Sequence, residues 1–362
     1  MHFLVRRPSW SPGNVGDEAL LTTLETHLME AGISYEIPEQ EDFQKAQIEG
    51  YDALVYFGND CIAYYDISKN SILRFISADK PIYLINTSYG EDAINNDFVS
   101  KVSKYRKLFI FARDAYSQRI LNRNFSFTNQ PILVSDLAHL RKATPLGSSP
   151  RMEEWLDSSD KKVVGVNLHG DFKDGNKAVY EAMSTFIRQH SNAYRFLFIP
   201  HDSRKDDYRL LASLAEGTDG DIFITKELDS GYEKSVLSRL FFVITGRMHL
   251  AILSLSAGVP CIAIAYNGIK AIGTFEHWDL SDYVVSAHES GKILPHFEAA
   301  VSDYSQIRSK LKASRPKVEE LAWRQIRLLR TPPEAAPKSL ASYLLRMKYF
   351  LLFRVRSYIG RP

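Results

Sequence analysis

The sequence predicts an α/β protein in which two parallel sheets carry helices on both faces. Three observations carry that prediction. Strand and helix patterns alternate along the chain, the turn-rich stretch Thr144-Pro-Leu-Gly-Ser-Ser-Pro150 divides them into two series, and the clearest helices stop at glycines. In the first series, short apolar runs place strands near His2 to Arg6, Ser34 to Ile37, Ala53 to Phe57, Ile82 to Asn86, Leu108 to Phe111 and Ile132 to Val134. The best helix runs from Asp17 to Ala31, where Ala19, Leu20, Leu24, His27, Leu28 and Ala31 share a face and Gly32 ends it. A short acidic helix, Met152 to Leu156, leads into the second series. Its strands are expected near Val163 to Leu168, Phe196 to Ile199, Ile222 to Thr225, Phe241 to Ile244, Cys261 to Ala265 and Tyr283 to Val285. These series make two domains, 1–145 and 161–315, joined by a linker at 146–160 and followed by C-terminal helices at 316–362.

Composition narrows the function classes. With 362 residues, 45% hydrophobic and 24% charged, the chain can bury a core in each of two domains. A formal net charge of +2 argues against general nucleic-acid binding. The two cysteines, Cys61 and Cys261, lie in apolar segments and read as buried reduced thiols. That fits a cytoplasmic protein, as does a chain that begins directly with a strand and has no uncharged run near the roughly 18 residues of a spanning helix.

The segment from Ile244 to Lys270 is the richest in chemistry. A buried strand ends at Thr245-Gly246, a densely apolar helix follows and stops at Gly258, and Pro260 opens the next strand. Arg247 and His249 therefore sit where a strand hands over to a helix N-terminus, the edge at which open parallel sheets bind ligands and helix amides favour anions. Lys270 lies beyond the next strand on the same edge. Near the N-terminus, Trp10-Ser-Pro-Gly13-Asn14-Val15-Gly16-Asp17 joins a strand to a helix. Its glycines let backbone approach a neighbour closely, and Asn14 or Asp17 can cap the helix. No dinucleotide fingerprint, P-loop, zincin or paired-cysteine motif occurs.

Taken in order, these motifs resemble the polysaccharide pyruvyl transferase family. The resemblance rests on Gly13-Asn-Val-Gly-Asp-Glu-Ala-Leu20, Ala112-Arg113-Asp114-Ala-Tyr-Ser117, Val134-Ser-Asp136-Leu-Ala-His139, Ile199-Pro200-His201-Asp202, Thr245-Gly-Arg-Met-His249, and Gly258-Val-Pro260 through Tyr266 to Lys270. It implies two Rossmann-like domains of GT-B-like form with the active site in the inter-domain cleft. It also implies transfer of the enolpyruvyl unit of phosphoenolpyruvate onto two sugar hydroxyls, with release of phosphate and without a cofactor or metal.

Phosphoenolpyruvate carries a carboxylate and a phosphate, which arginine can bind bidentately. The resemblance assigns donor binding to Arg113, Arg247 and Lys270, and acid catalysis to His249, with Arg247 as its catalytic neighbour. Asn14, Asp17, Asn59, Tyr89 and His201 are the acceptor or cleft candidates. Tyr64, Tyr65 and Tyr89 could stack on a sugar. Bland readings stand beside these: Arg247 as the partner of Asp136 or another carboxylate, His249 as a packed histidine under the helix, and Arg113-Asp114 as a capping pair. The first domain departs from the family pattern at Phe57-Gly58-Asn59-Asp60 and Asn86-Thr-Ser-Tyr-Gly90, each with a single glycine. The alternatives in function are a GT-B glycosyltransferase using a nucleotide-activated sugar and a non-catalytic glycan-binding relative.

The last segment, Ser339 to Ile359, places Leu340, Leu344, Met347, Leu351, Val355 and Ile359 at helical spacing. Arg346, Lys348, Arg354, Arg356 and Arg361 accompany them, and no acidic residue follows Glu334. Such a helix suits peripheral contact, through 339–359, with the inner face of the plasma membrane, where a lipid-linked oligosaccharide would be the acceptor. Packing across the protein is the other reading.

Overall fold

The computed structural model describes residues 1–8, 12–57, 66–89, 102–169, 177–218, 220–226, 228–266, 268–335 and 340–359. The first series runs β1 (His2–Arg6), α1 (Val15–Glu30), β2 (Ser34–Glu36), α2 (Gln40–Lys45), β3 (Ala53–Phe57), α3 (Asp66–Ser77), β4 (Ile82–Thr87), β5 (Leu108–Ala112), α4 (Ala115–Asn124) and β6 (Ile132–Leu133). These strands form one parallel sheet in the order β2-β1-β3-β4-β5-β6. Strands β3, β4 and β5 are buried along their whole length, as strands covered on both faces must be.

The second series runs α5 (Pro150–Asp157), β7 (Val163–Asn167), α6 (Lys177–His190), β8 (Arg195–Phe198), α7 (Asp207–Glu216), β9 (Ile222–Ile224), α8 (Ser230–Leu237), β10 (Phe242–Thr245), α9 (Met248–Ala257), β11 (Cys261–Ala265), α10 (Gly268–Glu276), β12 (Val284–Ser286) and α11 (Ile293–Ser302). Its sheet is also parallel, in the order β12-β11-β10-β7-β8-β9. Read from β9, this is the doubly wound order in which the first and fourth strands lie side by side. The direction of winding therefore reverses between β7 and β10. Two further helices, α12 (Tyr304–Arg330) and α13 (Leu340–Ile359), close the chain.

The helix ends follow the expected chemistry. Gly258 caps α9 with φ of 81°, in the left-handed region that favours glycine, and its amide returns to the carbonyls of Leu255 and Ser254. Helix α12 begins ahead of the expected C-terminal segment at 316 and runs through Pro316. Its first half is tied to the end of α9 by Arg308, which donates to the Gly258 carbonyl at 2.6 Å, and by Arg315, which donates to that of Ser256 at 2.9 Å.

Two compact units result, each with its own core. They redraw the expected boundaries. The first comprises 1–9, 24–136 and 321–362, and the second 10–23 and 137–320. The reason is local. Residues 13–15 hydrogen-bond to residues 201–203, so the loop after β1 belongs with the second sheet. The C-terminal helices do not stand apart, because Tyr349 of α13 is buried in the core that contains Ile72, Phe75 and Ile76 of α3. Cys261 is buried in β11, where burial raises its thiol pKa well above the ordinary value; Cys61 lies outside the described residues. No described helix is long and apolar enough to cross a membrane.

Candidate active site

The winding of the second sheet reverses between β7 and β10, the place at which open sheets of this kind bind ligands, and at the carboxyl ends of those strands Asn167 and Thr245 are register partners. Two residues past β7 stands His169, and two past β10 stands Arg247, the N-cap of α9. The turn between is fixed by its own backbone. Gly246 donates its amide to the Asn167 carbonyl at 3.1 Å, and Arg247 donates its amide to the Thr245 hydroxyl at 2.9 Å.

The Arg247 guanidinium is 7% exposed and forks onto Asp207, with Nε to Oδ2 at 3.0 Å and Nη2 to Oδ1 at 2.5 Å. Its Nη1 lies 3.0 Å from His169 Nε2 and 3.4 Å from Asp202 Oδ2. Because a guanidinium only donates, His169 must present a lone pair at Nε2 and carry its proton on Nδ1. Asp207 is fully buried and also accepts from the Asn167 side chain and the His201 amide, both at 3.2 Å. Arg247 is thus charge-balanced by two carboxylates and locked in a bidentate geometry. The bland reading, a carboxylate partner, is what the side chain shows, though the partners are Asp207 and Asp202 and not Asp136.

His249 occupies the second position of α9 and is half-buried. Its imidazole lies on Gly16, in the first turn of α1, so closely that a Cβ on Gly16 would overlap Cβ, Cγ and Nδ1 of the histidine. The loop bearing Gly16 is held in place on the same side. Ser203 donates its amide to the Gly13 carbonyl at 3.0 Å, Val15 donates to the His201 carbonyl at 3.1 Å, and the Asn14 amide donates to Asp202 Oδ2 at 2.9 Å. The Asn14 side-chain carbonyl meanwhile accepts the Asp17 amide at 3.1 Å and so caps α1. Asn14 therefore joins the helix start to the carboxylate that faces Arg247. Asp17, 3% exposed, sits behind it in the first turn.

Along the same edge, β11 pairs beside β10 and leads to Tyr266 and to Lys270, the third residue of α10 and half-buried. Burial pushes the Tyr266 phenol well above its ordinary pKa, against the opposing pull of Arg247. On the other flank, His201 and Glu233 form a fully buried pair with Nδ1 3.1 Å from Oε1, and His201 Nε2 has no partner among the described residues.

The first unit holds the remaining candidates. Arg113, 2% exposed, donates to Asp136 Oδ2 at 3.0 Å, and the Asn86 amide donates to the same oxygen at 3.1 Å. Gln325 of α12 accepts the Asn86 amide N–H at 2.8 Å and donates to the Ser135 carbonyl at 2.7 Å. Arg113 is therefore part of a buried polar network at the ends of β4, β5 and β6. The Asp114 carboxylate accepts the Ser117 amide at 2.6 Å and caps α4. Tyr89 does not offer a face to a sugar. It is fully buried in the first core, edge-on to Phe125 with ring centroids 5.7 Å apart. Asn59, Tyr64 and Tyr65 lie outside the described residues.

Sequence reasoning missed Asp207, Asn167 and Glu233. Asp207 begins α7, where an acid is ordinarily read as complementing the helix dipole. Its position six residues after His201 was the only available signal.

A family model described as polysaccharide pyruvyl transferase matches residues 14–268. No curated protein matches the chain. Among solved structures, a Listeria monocytogenes protein assigned as a UDP-N-acetylglucosamine 2-epimerase is similar with a TM-score of 0.63 at 9% identity, covering 94% of this chain and 99% of its own. The UDP-GlcNAc 2-epimerase of Neisseria meningitidis, bound to UDP-GlcNAc, gives 0.62 at 11% identity over 91% of this chain and 100% of that one. That of Methanocaldococcus jannaschii, in complex with UDP-GlcNAc and UDP, gives 0.59 at 13% identity over 99% and 100%. At such identities the likeness is one of fold, two Rossmann-like units of GT-B type.

Proposed function

The chain belongs to the polysaccharide pyruvyl transferase family, and we propose that it moves the enolpyruvyl unit of phosphoenolpyruvate onto two hydroxyls of a sugar, forming a cyclic ketal and releasing phosphate. The observation that carries this reading is His249, held half-buried at the N-terminus of α9 where the winding reverses between β7 and β10.

The chemistry divides into steps that such an arrangement serves. His249 delivers a proton to the methylene carbon of phosphoenolpyruvate, and the adjacent carbon becomes oxocarbenium-like. One sugar hydroxyl adds there and loses its proton. Phosphate leaves with its bonding electron pair, the second hydroxyl closes the ring, and its proton is released. The donor's negative charge falls to Lys270 and to the first-turn amides of α9, which point outward from the helix start. Arg247 adds less charge than a solvated arginine, because Asp207 and Asp202 already balance it. Its part is to hold the α9 N-cap, and with it His249, in register with the carboxyl ends of β7 and β10. Arg113, in the first unit, is paired with Asp136 through Nη1. The acceptor is a surface polysaccharide or its lipid-linked precursor on the cytoplasmic side of the membrane.

Incubation with phosphoenolpyruvate and candidate acceptors tests the reading, following phosphate release and the mass gain of a pyruvyl ketal. His249→Ala is expected to lower turnover by about two to four orders of magnitude, the usual worth of a general acid, while phosphoenolpyruvate still binds. Turnover of a UDP-sugar without phosphoenolpyruvate, or full activity in the His249→Ala protein, overturns it.

A further inference from the structure

Helix α13 is apolar on two sides. Its inner side packs on the first core through Leu345 and Tyr349, and Ser342 accepts the Arg106 amide at 3.3 Å. Its outer side faces solvent. At about 100° per residue, Tyr343, Leu344, Met347, Phe350 and Leu351 fall within an arc of about 120° on the side opposite Leu345 and Tyr349. Tyr343, Leu344 and Leu351 are 56%, 57% and 53% exposed. With Phe350, they are four of the nine large apolar side chains exposed among the described residues, so the protein's apolar exposure concentrates on this one helix face.

The charges around that face choose its occupant. Arg346 and Lys348, both exposed, border the arc on its two sides; Arg346 also stands 3.8 Å from Asp79 Oδ2, an ion pair that leaves its side chain 45% exposed. The sequence adds Lys338, Arg354, Arg356 and Arg361, with no aspartate or glutamate after Glu334. A second copy of this chain docking through the same face would bring like charges together. An anionic bilayer satisfies both features, since acyl chains accept the apolar stripe while headgroup phosphates meet the flanking cations. No described helix is long and apolar enough to span the bilayer, so α13 would lie along it.

We propose that the outer face of α13 is a lipid-docking surface, with Tyr343, Leu344, Phe350 and Leu351 entering the headgroup boundary of an anionic membrane and Arg346 and Lys348 contacting phosphate. It gives a physical means to the membrane location of the proposed acceptor, yet it stands or falls independently of the donor chemistry.

The test is co-sedimentation of the full chain with vesicles of phosphatidylcholine containing phosphatidylglycerol, against phosphatidylcholine alone. Binding is expected only to the anionic vesicles and should weaken as salt is raised. Leu344→Ser with Leu351→Ser, and separately Arg346→Glu with Lys348→Glu, are each expected to lower partition about tenfold or more. Both pairs are exposed, and turnover of a soluble acceptor should not change. Absence of binding overturns the proposal. So does equal binding to neutral vesicles, or concentration-dependent self-association, abolished by the leucine substitutions, without vesicle binding.

Discussion

Gly16→Ala is the sharpest probe of how His249 is held. Gly16 lies in the first turn of α1 and is absent from the positive-φ residues, so an alanine there needs no change of backbone conformation. On backbone grounds alone, the substitution would stabilise by about 0.4–1 kcal/mol. The obstacle is the imidazole. A Cβ at Gly16 would occupy the space of Cβ, Cγ and Nδ1 of His249, and the loop cannot retreat without breaking the hydrogen bonds of Asn14, Val15 and Gly13 to residues 201–203. Overpacking of this kind costs about 1–3 kcal/mol.

The two effects separate in a double-mutant cycle. Gly16→Ala should destabilise the native sequence by about 1–2 kcal/mol in urea unfolding, and be neutral or stabilising where His249→Gly has removed both the ring and the Cβ that the new methyl group would meet, a coupling of about 2 kcal/mol. Catalysis supplies the second readout. Under the proposed chemistry, displacing the ring by about 1 Å should cost about a hundredfold in kcat with little change in KM for phosphoenolpyruvate. The reasoning fails if alanine at Gly16 destabilises the His249→Gly protein as much as the native one, or if kcat is untouched. The stability arm needs no turnover, so it remains decisive even where the donor assignment is wrong.

Two further predictions concern buried charge. Asp207→Asn leaves the Arg247 guanidinium without its bidentate partner in a site of 7% exposure, and should cost about 3–5 kcal/mol in chemical denaturation. A loss below about 1 kcal/mol would mean that Asp202 and His169 suffice. Lys234 of α8 donates to the Arg141 carbonyl at 2.6 Å, and burial, with Arg315 and Arg141 nearby, lowers its pKa to about 8. Between that value and about 10.4, where an unfolded lysine titrates, the unfolded chain binds the extra proton, so this group's contribution to stability rises with pH across the window. Above about pH 10 the sign reverses for Tyr83 and Tyr232, which stay protonated in the fold because burial lifts each to about 12. The stability of the native protein relative to Lys234→Met should therefore increase from pH 8 to 10; a flat difference would refute the assignment.

The strands and glycine-capped helices were legible because local chemistry decides them. Apolar runs, Gly258 and the Asn14 cap are read over a few residues, and the structure keeps each. Sheet order was not legible. The reversal between β7 and β10 joins residues about 80 apart, and nothing near Val163 announces Phe242 as its neighbour's start. For the same reason Arg113 and Arg247 looked alike, as cations at strand ends, until Asp136 and Asp207 appeared beside them across 23 and 40 residues. Tyr89 failed as a sugar platform because exposure of a single aromatic in a loop depends on what packs over it.

The glycine-rich loop after β1 changes meaning once Asp202 is placed. As sequence it offered a loop whose glycines let backbone approach a neighbour closely, or a capped helix start. In the fold its polar side chain is spent internally: Asn14 caps α1 with one end and donates to Asp202 with the other, Asp202 faces Arg247, and Arg247 forks onto Asp207. Each link is buried or partly buried and most involve a charge, which makes them short, directional and resistant to salt. A chain of fixed contacts therefore runs from the α1 N-terminus to the α9 N-cap, while Gly16 meets the imidazole two residues further on. For the acid role proposed for His249 such positioning matters, since misplacement by about 1 Å costs about a hundredfold. The same links leave Arg247 balanced by Asp202 and Asp207, so its guanidinium serves the geometry of the α9 N-cap.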